Sequence, residues 1–492
     1  MDTSDQQDET TRPLLGHESR DIRCRSRNES RNTSRSRSSG QALKRSGWRA
    51  ELGLLAKYSL PLIGTYLLQY SFTVITTMVA GRLSADDLAA ASIGVTTMNI
   101  FGLAVVEGMA TALDTLCAQA YGAGQLTGVG LHVQRMLLLM LLAMVPVGGL
   151  WLASPLILPR LVRQHELAVK AGSFLQLSLV GLPGYAAFEA GKRFLQAQGG
   201  FRAAMIVLLV CAPVNAVLSW LFAFHLGMGL DGAALGAAIA NDLRPLLLLG
   251  YVLFFGRWSH TCWPGFSPAA LCRDWAPMVR LALAGSAVTL AEWAAFEILT
   301  FSTSYVSSTH LAAQTVLTTT SVVMWHIPFS VSVAVSTRIG HLVGAGLIPA
   351  ARRAAALYSV VFVVIGLFDG IFLVSLRHHL GLVFSDDGPV RELAAQAMLA
   401  VGAFQIVDAI NCGCNGVLRG LGRQSLAAWL VFFVNYFAAV PLAIWLELGP
   451  WHLELNGVWI GLGLGMIVIV VAECGYIKYT DWSSYISREQ GA

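Results

Sequence analysis

Along most of this chain hydrophobic and polar positions are segregated rather than interleaved. From residue 54 onward, apolar runs of about 20 residues follow one another, divided by short polar stretches. Each run is long enough to cross a hydrocarbon core of about 30 Å as a helix. Twelve are read, near 54–80, 88–111, 131–153, 169–190, 203–226, 231–255, 277–303, 310–335, 355–376, 390–416, 426–447 and 455–478. The runs are continuous rather than alternating, which favours helices over a β-barrel. The expected fold is therefore all-α and integral to a membrane, with twelve transmembrane helices.

The order of the runs is itself repeated. LCAQAYGAG (116–124) is matched by TRIGHLVGAG (337–346), and FLQAQGG (194–200) by VLRGLGR (417–423). Asp231-Gly232 is matched by Asn456-Gly457, so the three offsets are 222, 223 and 225 residues. An internal repeat of six spans, an even number, gives both halves the same orientation. Two six-helix lobes related by a pseudo-two-fold axis along the membrane normal are expected, with a cavity between them. The expected division is a tail at 1–49, lobes at 50–256 and 277–480, a linker at 257–276 and a C-terminal tail at 481–492.

Composition agrees with this pattern and narrows the class. The 492 residues are 55% hydrophobic and only 13% charged, about half the charge of a typical soluble protein. That excludes most soluble enzymes and a disordered scaffold. Residues 1–50 hold 11 Lys and Arg against 7 Asp and Glu, and the remaining 442 hold 22 of each sign. The basic excess thus belongs to the tail, and nothing in the body suggests nucleic-acid binding. DIRCRSRNESRNTSRSRSSG (21–40) cannot bury apolar surface and reads as a disordered segment facing the cytoplasm, with anionic lipid as one expected contact. Pro13-Leu14-Leu15 resembles a dileucine sorting signal with its acidic residue out of register. The start lacks the basic and apolar regions of a signal peptide.

Lys and Arg favour the even-numbered connections, where Lys192, Arg193, Arg202, Arg257, Arg273, Arg280, Arg338, Arg352, Arg353, Arg419 and Arg423 are read. The odd-numbered connections carry Arg82, Arg160, Arg163, Lys170, Arg377 and Arg391. Both termini are accordingly expected in the cytoplasm. Eight scattered cysteines show no disulfide framework, and Cys412-x-Cys414 alone lacks the ligands of a structural metal site. No Walker-type, GxSxG or paired His/Asp motif is evident, so no cofactor, metal or enzymatic activity is expected.

Ionisable groups inside spans are costly and mark function. Span ten, AFQIVDAINCGCNGVLRG, places Gln405, Asp408, Cys412 and Asn415 on one helical face, with Asn411 at its border. A desolvated carboxylate favours its neutral form, so it can hold a proton near neutral pH and attract a cation once deprotonated. Competition of that kind underlies an antiporter. Span seven, LALAGSAVTLAEWAAFEIL, carries Glu292 and Glu297. Five residues turn a helix by about 500°, which leaves the two about 140° apart and unable to face one spot. Asp369 lies mid-span without a local partner and is a secondary candidate, as are Tyr70 and Trp293 for cation–π contacts. Glu107, Asp114 and Glu189 are expected near helix ends, satisfied by water and caps, and Glu473 is expected to reach the nearby membrane surface.

These stretches resemble the multidrug and toxic compound extrusion (MATE) family, in its eukaryotic branch. The likeness covers 50–480 and is carried by LLQYSFTVITTMVAGRLSADDLAAAS (67–92), GMATALDTLCAQAYGAG (108–124), KRFLQAQG (192–199), LAEWAAFEIL (290–299), VSVAVSTRIGHLVGAG (331–346) and DAINCGCNGVLRGLG (408–422). The resemblance implies a proton-coupled exporter of organic cations or amphipathic metabolites working by rocker-switch alternating access. It implies essential carboxylates at Glu292, Glu297 and Asp408, and a glutamine at Gln69. Two residues depart from the family pattern: Glu107, and His326, which either joins the proton path or is a satisfied core histidine. The expected coupling ion is H⁺ rather than Na⁺. The expected partners are small molecules and membrane lipids, and the expected unit is a monomer in a plasma or vacuolar membrane. A lipid-linked oligosaccharide flippase could share the fold, but its cavity should be cationic.

Overall fold

The computed structural model describes residues 47–161, 164–265, 271, 273–303, 305–384, 387–450 and 453–482. The Arg/Ser tail and its Pro13-Leu14-Leu15 run up to residue 46, part of the expected linker (266–270 and 272) and residues 483–492 lie outside them. All contacts below fall within 52–492.

Twelve helices among the described residues are long and apolar enough to span a membrane. They are Trp48–Leu83, Asp86–Gly122, Leu126–Leu152, His165–Ala197, Arg202–His225 and Gly229–Phe255, then Ala276–Thr303, Thr309–Gly344, Ile348–Leu382, Gly388–Gly420, Gln424–Leu448 and Glu454–Tyr479. They are called spans one to twelve here. Each expected run falls in one of them, and several helices run beyond the apolar stretch. Large apolar side chains such as Val145, Phe254, Phe255, Phe368 and Phe437 are exposed on the outside, as lipid contact requires.

Two large hydrophobic cores are present among the described residues. One is built by residues between Phe72 and Ala282, the other by residues between Ala291 and Ile469. Span seven starts in the first core and ends in the second. The repeat is written in the backbone. Spans two and eight end at Gly124 (φ +79°) and Gly346 (φ +71°), spans four and ten at Gly199 (φ +84°) and Gly422 (φ +72°). At each, the next residue's N–H returns to a carbonyl five residues back: Gln125 to Ala120, Leu347 to Leu342, Gly200 to Leu195 and Arg423 to Leu418, at 2.8–2.9 Å. This is the left-handed glycine cap that closes a helix end, and a side chain there would be strained. Four equivalent caps at equivalent places confirm the duplicated halves.

The lobes meet along span two. A π-type turn at Asn99–Leu103 interrupts that helix. Beyond it, the stripe Glu107, Thr111, Thr115, Gln119 faces the second lobe. Gly108 lies against span seven, where a Cβ would fall 2.4 Å from the Ser286 Cα. The Thr111 hydroxyl donates to Gln424 Oε1 (3.2 Å), the Thr115 hydroxyl to the Arg419 carbonyl (2.5 Å) and Gln119 Nε2 to the Gly420 carbonyl (2.9 Å). His341 Nε2 meets the Ala197 carbonyl at 2.7 Å. The lobes are thus fastened near the ends of spans two, eight and ten, the side read from the sequence as cytoplasmic.

Within the second lobe, Cys414 of span ten and Cys474 of span twelve bring their sulfurs to 3.4 Å. A small rotation brings them within bonding distance. Mild oxidation of the membrane-embedded protein with diamide should join them, giving a linked peptide in mass spectra that Cys474→Ser removes. A link through Cys412 instead would mean a different rotation of span ten.

Candidate functional site

Between the lobes is a cavity that, counted with the solvent at its mouth, holds about 730 Å³ of empty space. Span two lends Glu107 and Thr111, span seven Val288, Thr289, Glu292 and Trp293, and span eight Trp325, Phe329 and Ser332. Span ten lends Asn411, Cys412, Asn415 and Arg419. The wall is largely aromatic and apolar, with a few convergent polar groups. Trp325 stacks on Phe329 with ring centroids 4.3 Å apart.

The sequence-derived residues divide between this cavity and its surroundings. Glu292, Trp293, Asn411 and Asn415 line it. Asp408 lies on the same span one turn before Cys412, and is buried. Gln405, a further turn back, is fully buried; its Oε1 accepts from the Ser321 hydroxyl at 3.1 Å, and its Nε2 has no partner among the described residues. Glu297 is exposed, away from the cavity-lining set, in keeping with its angular offset from Glu292. Asp369 is completely buried, and neither of its oxygens has a partner. His326 Nδ1 meets the Val322 carbonyl at 2.6 Å, and its ring lies between Tyr70 and Trp325 at 5.2 and 5.5 Å.

Gln69 belongs to another group. Its Nε2 donates to the Tyr185 hydroxyl and to Glu189 Oε1, both at 3.1 Å, and its Oε1 accepts from Lys192 at 3.2 Å. These are parts of a buried ion cluster in the first lobe. Lys192 Nζ is 2.7 Å from Glu189 Oε1 and lies 4.5 Å over the Tyr66 ring. Arg193 pairs with Glu189 and sits 3.6 Å from Asp114. Arg419, from span ten, reaches the other oxygen of Asp114 at 3.7 Å and donates to the Ser332 hydroxyl at 2.6 Å.

Several expectations need correction. Lys192, Arg193 and Arg419 are not in connections but inside spans four and ten, all buried. Side chains at that depth report internal pairing rather than membrane orientation, so the count behind the positive-inside reading is thinner. Glu189 is paired with Lys192 and Arg193, and Asp114 lies buried 3.6 Å from Arg193 and 3.7 Å from Arg419, rather than at a helix end. Glu473 does not reach the membrane surface: it is fully buried, with both oxygens unpartnered.

The outcome is an electrical contrast between the lobes. In the first, Asp114 and Glu189 are matched by Lys192, Arg193 and Arg419. In the second, Glu292, Asp369, Asp408 and Glu473 make no ion pair among the described residues, and all sit in span interiors. Periodicity could find Asp408, because it flags a polar face. It could not find the bare state of Glu473, which depends on what packs against span twelve.

Twelve spans, a duplicated lobe and a cavity between the halves define a secondary-transporter architecture. The MatE family model matches residues 61–221 and 286–445, one match in each lobe. The chain is 35% identical to an uncharacterized transporter of Saccharomyces cerevisiae over 89% of its own length, covering 63% of that relative. It is 27% identical to the Homo sapiens multidrug and toxin extrusion protein 1, over 92% of this chain and 78% of that one. The fold superposes on the crystal structure of the eukaryotic MATE transporter AtDTX14 with a TM-score of 0.85 and 27% identity, covering 90% of this chain and 100% of that one. The chain belongs to the MatE family. It is a multi-pass membrane transporter and not an enzyme.

Proposed function

We propose that this protein exports organic cations or amphipathic metabolites in exchange for protons. The observation that carries the reading is the set of uncompensated carboxylates in the second lobe. A carboxylate buried without a cation or hydrogen-bond donor is stable only when neutral or when a cation joins it. Asp408 and Glu292 are placed to alternate between those two conditions. Protons arriving from outside neutralise them and release cargo outward. Reopening toward the cytoplasm discharges the protons and draws in new cargo. Trp293, Trp325 and Phe329 supply cation–π and stacking contacts, which favour breadth over exact fit. Asn411 and Asn415 offer hydrogen bonds. A flippase for pyrophosphate-linked lipids is disfavoured, because the guanidinium in the wall, Arg419, is engaged by Asp114 and Ser332. The unit is a monomer, in the plasma or vacuolar membrane with both termini cytoplasmic.

The test is uptake of ethidium, a fluorescent monocation, into proteoliposomes that are acidic inside. Uptake should stop when the proton gradient is collapsed at fixed membrane potential. Uptake that persists without the gradient but follows Na⁺ would assign sodium coupling and overturn the proton reading.

A further inference from the structure

A second acidic group lines the cavity from the opposite lobe. Glu107 stands on span two, and its side chain contributes to the wall that Glu292 contributes to from span seven. The cations near Glu107 are engaged elsewhere: Lys192 and Arg193 hold Glu189, and Arg419 is shared between Asp114 and Ser332. Glu107 itself makes no ion pair or side-chain hydrogen bond among the described residues, and it lines the cavity beside that cluster.

The separation of the two acids follows from the helix contact. Odd and even spans alternate in direction, so spans two and seven are antiparallel. Gly108 is level with Ser286, whose hydroxyl also donates to the Val105 carbonyl at 3.1 Å. Glu107 is one residue from that contact and Glu292 six, both displaced toward the same side. At 1.5 Å per residue the two positions are offset by about 8 Å along the axis. The same wall includes Val288, Thr289, Trp293, Trp325 and Phe329.

We propose that the cavity takes aromatic dications, with one charge at Glu292 and the other at Glu107, the flat body resting on Trp293, Trp325 and Phe329. This deepens the exporter reading and rests on it. The favoured cargo has two cationic centres about 8–12 Å apart, allowing for side-chain reach beyond the axial offset. A monocation uses the Glu292 end alone. A two-point ligand contacts both lobes at once, so its departure is tied to their separation.

The experiment uses the full chain in acid-inside proteoliposomes with two fluorescent probes: diamidinophenylindole, which carries two amidinium charges, and ethidium, which carries one. In the wild type, the diamidine should compete with ethidium more strongly than a mono-amidine of the same ring system. Glu107→Gln should raise the ratio of the diamidine KM to the ethidium KM about tenfold, the scale of one charge-assisted contact. Glu107→Asp should keep the ratio near the wild-type value. An unchanged ratio in Glu107→Gln, or equal competition by the mono- and diamidine in the wild type, would overturn the proposal while gradient-driven ethidium uptake upholds the exporter reading. Absence of gradient-driven uptake for both probes in the wild type would overturn both. The wild-type competition needs no variant, so a Glu107→Gln protein that fails to fold leaves the proposal testable.

Discussion

Asp408→Asn is expected to lower gradient-driven uptake by about a hundredfold, the order of loss that follows removal of a proton-transferring group. Asparagine has the shape of a protonated aspartate and cannot take up or release the proton. It should therefore hold the second lobe in one electrical condition. Stability should not fall, because a buried carboxylate without a counter-ion contributes nothing that asparagine lacks. Thermal unfolding in detergent beside the uptake assay separates the two effects. Full uptake in the variant would remove Asp408 from the coupling site. A clear loss of unfolding temperature would make it a packing residue.

The opposite behaviour is expected at Glu189. Glu189→Gln leaves Lys192 with a neutral partner and Arg193 with Asp114 alone, both fully buried. Removing one member of a buried ion pair costs about 3–5 kcal/mol, because the remaining charge stays desolvated. The variant should unfold at a markedly lower temperature and accumulate poorly in the membrane. Changing Glu189 and Lys192 together, to glutamine and methionine, should recover part of that loss, since the uncompensated ammonium goes with its partner. If the single change were harmless, the cluster would be hydrated rather than desolvated.

The two predictions fall on residues that the sequence treats unequally. The spans were legible because lipid imposes length and apolarity on each of them. The repeat was legible because glycine at a left-handed cap has no good substitute, so Gly124 and Gly346 stand out. Asp408 was legible because a polar face has a period. The ion cluster was not. Lys192 and Arg193 lie near the end of their span and look like loop residues, and their partner Gln69 is more than 100 positions away. Nor could Glu473 be read correctly, since its proximity to a helix end says nothing about the neighbour that covers it. Glu292 and Glu297 lie between these cases. Helical arithmetic separated them, and only the packing decided which one faces the cavity.

The four equivalent glycine caps carry one more consequence. Both halves follow a single backbone plan, yet opposite electrical solutions have been installed on it. A transporter assembled from two identical subunits could not do this, because each acid placed in one half would appear in the other. Fusing the halves into one chain frees each copy to change separately. One holds a paired cluster around Glu189, and the other carries Asp369, Asp408 and Glu473 with no ion pair among the described residues. The division of labour between rigid support and chargeable switch is thus a return on duplication, drawn from side chains while the main chain stayed the same.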